Sequence, residues 1–405
     1  MSRSELVAAI DFGSHKIRVA VAERWETELS LIGFAERDSA GVESGVVSNL
    51  KELYECTREV FEEAMRGVNG RPRYLISGLA ANMVSYKHSW GMVPLWDRRI
   101  KESDRMKTVS IAATVALSPV QDVAHYLVLD FFIDEVHRIK NPVGMKGVKL
   151  GAECLVVIAN KTELEALTKC LNWLKMDWCG FVFEPMAAAN VVLNPEEMEQ
   201  GCILIDLGAT QSGFVVYRES LPEALAVAAI GGQDVSRQIA RELNIPPFEA
   251  ERIKKGLPDL YIPDPDDTVE LELFGGVRGI PWQIVAHIVR EQYEDIFNCI
   301  VEAAERQGVR TEMLSSAVLV GGGANLPSIE KLAQRHLGCP VRVARPEGPG
   351  PQGLLATGSE YSTVLGLLYW PVTCGLEGLR VRNGLKGRLN KIRSKLAGFK
   401  LQRRR

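Results

Sequence analysis

Two aspartates, Asp11 and Asp206, each close an apolar run and open a short glycine turn. The first run, Val7-Ala8-Ala9-Ile10, leads into Asp11-Phe12-Gly13-Ser14-His15-Lys16 and the returning Ile17-Arg18-Val19-Ala20. The second, Cys202-Ile203-Leu204-Ile205, leads into Asp206-Leu207-Gly208-Ala209-Thr210-Gln211-Ser212 and the returning Gly213-Phe214-Val215-Val216. A buried strand, a glycine turn and a second strand make a hairpin signature. A carboxylate at the mouth of such a hairpin can hold a hydrated divalent cation, while the turn's N–H groups face a phosphate. A third glycine turn, Gly321-Gly322-Gly323, follows the apolar run Ala317-Val318-Leu319-Val320. A lone Asp-x-Gly is more often only a turn, but the ordered set of three predicts a nucleotide clamped between two related halves.

The elements that must position these residues can be traced along the chain. Residues 28–34 read as a strand, and Asn49 is placed to cap a helix over 50–67. Residues 73–78 read as a short strand. From 83 to 161 the pattern changes to mixed strands with one helix near 102–117, an α+β insert. A helix over 163–175 and a strand over 180–183 lead to Glu184-Pro185 and an alanine-rich stretch. In the second half, residues 256–281 are rich in Pro, Asp and Gly and read as loop. Helices over 282–307 and 327–337 flank the triple-glycine turn. A Pro/Gly loop over 345–359 precedes a helix over 361–368, and 374–383 reads as a linker.

With 405 residues, the chain is long enough for two or three domains and a large core. Its N-terminus, Met1-Ser2-Arg3-Ser4-Glu5, runs straight into the first strand, so no secretory signal is expected. No apolar run is long enough to span a bilayer. The eight cysteines are scattered without a C-x-x-C pair, which predicts reduced structural thiols and no zinc site.

The net charge of −3 conceals an asymmetry: after Glu377 there are eleven Lys and Arg and no acid. Within that tail Leu385, Leu389, Ile392, Leu396 and Phe399 fall on one helical face. Lys386, Arg388, Lys391, Arg393 and Lys395 occupy the other. Such a helix is too short and too charged to span a bilayer but suits the surface of an anionic membrane, where each basic residue contributes about 1 kcal/mol. A docked core helix or a nucleic-acid arm competes less well, and a coiled-coil seam would need more heptads.

Taken together, these motifs resemble the actin-like ATPase superfamily and, within it, the FtsA family of bacterial cell-division proteins. The most specific stretches are Gly45-Val46-Val47, the run from Lys140-Asn141-Pro142 to Lys149-Leu150, Glu184-Pro185, Gly231-Gly232 and Tyr361-Ser362-Thr363-Val364-Leu365-Gly366. The resemblance implies an α/β fold of two related halves around a nucleotide cleft, an inserted α+β subdomain and a C-terminal amphipathic helix. It implies subdomains at 1–82 with 162–195 and 346–373 (1A), at 83–161 (1C), at 196–226 with 311–345 (2A) and at 227–310 (2B). A linker at 374–383 and a membrane helix at 384–405 would follow.

By the same resemblance, Asp11 and Asp206 would hold Mg²⁺, largely through water. Gly13, Ser14, His15 and Lys16, then Gly208, Ala209 and Thr210, would cradle the phosphates of ATP. Gly231 and Gly232 would let the backbone approach, Glu251 and Lys254 would contact ribose and base, and Gly322, Gly323 and Asn325 would wall the adenosine. Glu184 is the candidate for orienting an attacking water, although it also suits a plain helix start. His15 and Lys16 likewise suit an ordinary solvated turn.

The second loop departs from the superfamily's Asp-x-Gly-Gly-Gly-Thr pattern. Its third glycine is lost, with Thr210 in that place, and Gly213 stands where an acid would follow. That predicts nucleotide binding with at most weak hydrolysis. The implied partners are copies of the chain in filaments, other division proteins, and the C-terminal peptide of FtsZ, with basic residues near Arg290, Arg306 and Arg310 as contacts. An anionic membrane on the cytoplasmic side of the division septum completes the set, and no nucleic acid is expected. Rival readings are a PilM-like pilus-assembly protein and a small-molecule kinase of the same superfold.

Overall fold

The computed structural model describes residues 5–379 except 27, 44, 80–83, 135, 137, 177, 263–266, 274–275 and 347–357. Strands β1 (Glu5–Phe12), β2 (Lys16–Trp25) and β3 (Glu28–Asp38) form an antiparallel meander. The short pair β4 (Val42–Glu43) and β5 (Val46–Val47) leads into α1 (Leu50–Ala64). Asn49 caps this helix as expected, its side chain accepting from the N–H groups of Lys51 and Glu52. β6 (Tyr74–Leu79) returns parallel to β1.

The insert comprises β7 (Ser85–Arg99), α2 (Glu102–Ala112), β8 (Gln121–Ile133) and β9 (Lys146–Asn160), with the strands ordered β7-β9-β8. Its helix stops at Ala112, short of the expected end, ahead of the β-branched Thr114-Val115 and of Pro119. After it come α3 (Lys161–Trp173), β10 (Trp178–Phe183), α4 (Glu184–Val192) and α5 (Pro195–Gln200).

The second half repeats the plan. β11 (Cys202–Leu207), β12 (Ser212–Arg218) and β13 (Leu221–Ala228) form its meander, followed by α6 (Gly232–Leu243) and α7 (Pro247–Lys255). The stretch read as loop over 256–281 contains a hairpin, β14 (Thr268–Leu273) with β15 (Gly276–Pro281). Period-two alternation in Thr268-Val269-Glu270-Leu271 buries Leu271 against Ile280, and this outweighs the Pro and Gly content around it. Then follow α8 (Trp282–Arg306), β16 (Ser316–Val320), α9 (Ile329–Leu337), β17 (Val341–Val343) and α10 (Ser362–Thr373).

The two large sheets have one topology. Reading from the meander, the first runs β3-β2-β1-β6-β10 and the second β13-β12-β11-β16-β17. The last two strands of each are parallel to the central one, as buried α/β sheets require. The helices α4 and α10 cross closely: a Cβ on Gly366 would lie 1.9 Å from the Ala187 carbonyl oxygen. This small-residue crossing packs beside β1 and β11 and sets where their ends meet.

The described chain ends on the insert rather than in free linker. Tyr126 N–H donates to the Gly378 carbonyl at 3.1 Å, Leu379 bridges to His125, and Arg105 pairs with Glu377 at 3.0 Å. Leu376 and Leu379 are buried. The tail residues Leu385, Lys386, Arg388, Leu389, Lys391, Ile392, Arg393, Lys395, Leu396 and Phe399 lie outside the described residues. No helix among the described residues is long and apolar enough to cross a membrane.

Candidate functional site

β1 and β11 deliver their final carboxylates, Asp11 and Asp206, to a cleft of about 550 Å³. Gly13, Ser14, His15, Lys16, Glu184, Gly208, Ala209, Thr210, Gly232, Glu251, Lys254, Gly322, Gly323 and Asn325 line the same space. Gly231 sits behind it, where a Cβ would meet the backbone of Gly208, Ala209 and Gln211 at 2.7–2.8 Å. Only glycine lets α6 start so close to the second loop.

The two glycine loops have matching geometry. A Cβ on Gly13 would meet the Lys16 carbonyl at 2.7 Å, and one on Gly208 the Gln211 carbonyl at 2.6 Å. They also touch: the Thr210 hydroxyl donates to Ser14 Oγ at 2.8 Å. The threonine that breaks the superfamily pattern therefore links the loops. The second loop is further fixed to α6, through Gly232 N–H to the Gly208 carbonyl at 3.0 Å and Gln233 N–H to the Ala209 carbonyl at 2.7 Å.

Three carboxyl groups share the floor. Burial raises Asp11 above the usual range, against the pull of Arg18. Burial, then the Asp11 charge, pushes Asp206 up to about 6, with a 3.1 Å hydrogen bond from the Thr363 hydroxyl opposing. Glu184, the first residue of α4, is raised well above the carboxylate range by burial and by Asp11 and Asp206. Its Oε1 is buried without a hydrogen-bond partner among the described residues. Burial, more than the neighbouring charges, drives all three carboxyl groups upward.

On the opposite wall Lys254 is buried and donates to the Gly232 carbonyl at 2.7 Å, to Ser236 Oγ at 2.8 Å and to Glu251 Oε2 at 2.6 Å. Burial alone would raise Glu251, but the charges and hydrogen bonds of Lys254, Ser236 and Lys255 bring it down to about 2. Burial, then the Lys255 charge, lowers His15, whose Nε2 lies 3.4 Å from Lys255 Nζ. Asn325 donates to Glu360 at 2.7 Å and accepts from Ser359 at 2.9 Å.

Arg18, Ser236, Lys255 and Thr363 also line the cleft, and the sequence reading does not single them out. Arg18 had a signal: it follows Lys16 by two, so strand alternation puts both on one face, where both meet Glu36. Of the basic residues expected to meet a peptide, Arg290 is half-buried against the Leu260 carbonyl (2.6 Å) and the Tyr261 ring, whereas Arg306 is exposed and pairs with Glu302.

Comparison with known proteins fits this architecture. The family model "Cell division protein FtsA" matches residues 203–366, and "SHS2 domain inserted in FTSA" matches 81–158. The cell division protein FtsA of Pseudomonas aeruginosa is 26% identical over 380 residues, covering 93% of this chain and 91% of its own. Among solved structures, the PilM-PilN type IV pilus biogenesis complex shares the fold at a TM-score of 0.63 and 17% identity, covering 92% of this chain and 99% of that one. MreB5 of Spiroplasma citri bound to ADP does so at 0.55 and 12%, covering 90% and 96%. The expected actin-like fold of two halves with an inserted α+β subdomain is therefore present, and the chain belongs to the FtsA family of cell-division proteins.

Proposed function

We propose that the chain binds ATP with Mg²⁺ in its cleft, assembles with copies of itself, and tethers FtsZ filaments to the cytoplasmic face of the membrane through its C-terminal helix. The observation that carries the nucleotide part is the contact of two equivalent glycine loops, Thr210 to Ser14, beside the buried carboxyl groups of Asp11 and Asp206. Loop N–H groups suit phosphates, and hard carboxylate oxygens suit Mg²⁺. Asp11 and Asp206 would hold the ion largely through its water shell, which Mg²⁺ gives up reluctantly. When bound, Mg²⁺ would neutralise phosphate charge. Lys254 and Glu251, locked together, would present a rigid wall to the nucleoside, and Glu184 would orient a water.

The tether rests on family membership and on the sequence of the tail, an apolar stripe backed by eleven basic residues. Co-sedimentation of FtsZ with anionic liposomes tests it, comparing the full chain with one ending at Asn383. FtsZ should pellet only with the full chain. If FtsZ stays in the supernatant with both, the tether reading fails.

A further inference from the structure

Arg18 lies directly across the β1–β2 ladder from Asp11. In the second half the matching rung pairs Asp206 with Gly213. The two halves therefore differ at one sensitive point: only the first sets a guanidinium against its cleft carboxylate. Arg18 Nη1 donates to Asp11 Oδ2 at 3.3 Å and Nε donates to Glu36 Oε2 at 3.0 Å. The Tyr361 ring lies 5.4 Å from the guanidinium carbon. The side chain is only 14% exposed, yet it lines the cleft.

Lys16, two residues earlier on the same face, pairs with Glu36. Arg18 instead spans from Glu36 to the carboxylate at the phosphate end of the site. Its planar fork of donors matches phosphate oxygens, and it is held in place before any ligand arrives. A fixed, poorly solvated charge interacts more strongly with a polyanion than a mobile surface lysine does.

We propose that Arg18 is a built-in counter-charge for the bound nucleotide, offsetting phosphate charge beside Asp11 so that binding depends only weakly on a divalent ion. This rests on the nucleotide reading above. It also changes the role of Asp11, which serves the arginine first and the ion's water shell second.

The test is titration of the full chain with a fluorescent N-methylanthraniloyl ATP, in Mg²⁺ and in excess EDTA. The wild-type affinities in the two buffers should agree within about tenfold. Arg18→Met should weaken binding in EDTA by about tenfold or more, the scale of a lost charge-assisted contact. It should weaken binding less in Mg²⁺, where the released Asp11 can serve the ion. Arg18→Lys, which keeps the charge but not the fork, should recover part of the EDTA affinity.

Equal binding of wild type and Arg18→Met in EDTA would overturn the proposal. So would a wild type that loses its nucleotide in EDTA, a result that needs no variant to fold. If neither folded protein binds in Mg²⁺, the nucleotide reading fails and takes the proposal with it.

Discussion

Two carboxyl groups in the cleft make separable predictions. Glu184 is buried, its carboxyl is pushed upward by burial and by Asp11 and Asp206, and its Oε1 has no hydrogen-bond partner among the described residues, so Glu184→Gln keeps the shape while removing the carboxyl group. If Glu184 orients the attacking water, single-turnover ATP hydrolysis should fall about 100-fold while nucleotide affinity changes little, the signature of an interaction made in the transition state. A parallel loss of affinity would instead mark Glu184 as a structural helix start. Asp206 makes a prediction about pH. Its carboxyl titrates near 6 when folded, against 3.8 as the ordinary value, so the folded state takes up a proton that the unfolded chain releases. Its contribution is fully favourable below about 4 and is lost as pH rises through about 6. Asp206→Asn should therefore stabilise the metal-free protein at pH 7.5 by on the order of 2 kcal/mol, with the advantage gone at pH 4. Urea unfolding in EDTA at the two pH values reads this directly, and an unchanged midpoint at pH 7.5 would refute it. Both aspartates were legible in the sequence because strand, carboxylate and glycine are contiguous there. Arg18 and Thr363 were less so, because one needs the strand's facing and the other reaches Asp206 from 157 residues away in the chain.

At the level of elements, the cleft depends on helix crossings that tolerate no added atom. Gly366 on α10 faces the Ala187 carbonyl on α4, and a methyl there would sit 1.9 Å from backbone. Gly366→Ala should cost about 2 kcal/mol or more, the upper range for overpacking, because neither helix can move without shifting β1 or β11. A thermal melt checks it; a shift within error would mean the crossing can slide. The strand and helix order was largely readable, since apolar runs and caps such as Asn49 are local signals. The β14–β15 hairpin was not, because Pro and Gly nearby outweighed a short alternation whose partner strand has little pattern of its own. The helix of the insert was drawn too long for a related reason: its end is set by β-branched residues rather than by a glycine stop.

For the molecule as a whole, a buried histidine joins the insert to the backbone beside the cleft. His125 on β8 accepts from Phe183 N–H at 3.1 Å, immediately before Glu184, and meets Trp370 of α10 edge-on. Accepting at Nε2 requires the neutral ring with its proton on Nδ1. Burial lowers His125 to about 3. The unfolded chain takes up this proton below about 6.5 and the folded one does not, so stability is lost progressively as pH falls from about 6.5. This opposes the Asp206 contribution. His125→Gln can still accept the Phe183 N–H, so its stability should fall less steeply between pH 7 and 5 than that of the wild type, in urea unfolding at each pH. Parallel curves would exclude His125 as a source of the acid sensitivity. One residue further along β8, Tyr126 holds Gly378, and Arg105 of α2 holds Glu377. A pull on the chain past Leu379 would therefore load the edge of the insert together with the core of the first large sheet, where Leu376 and Leu379 are buried. The chain is rigged like a cable clipped at two points: part of any force applied past Leu379 would reach the strand that carries His125, and through it the backbone under Glu184.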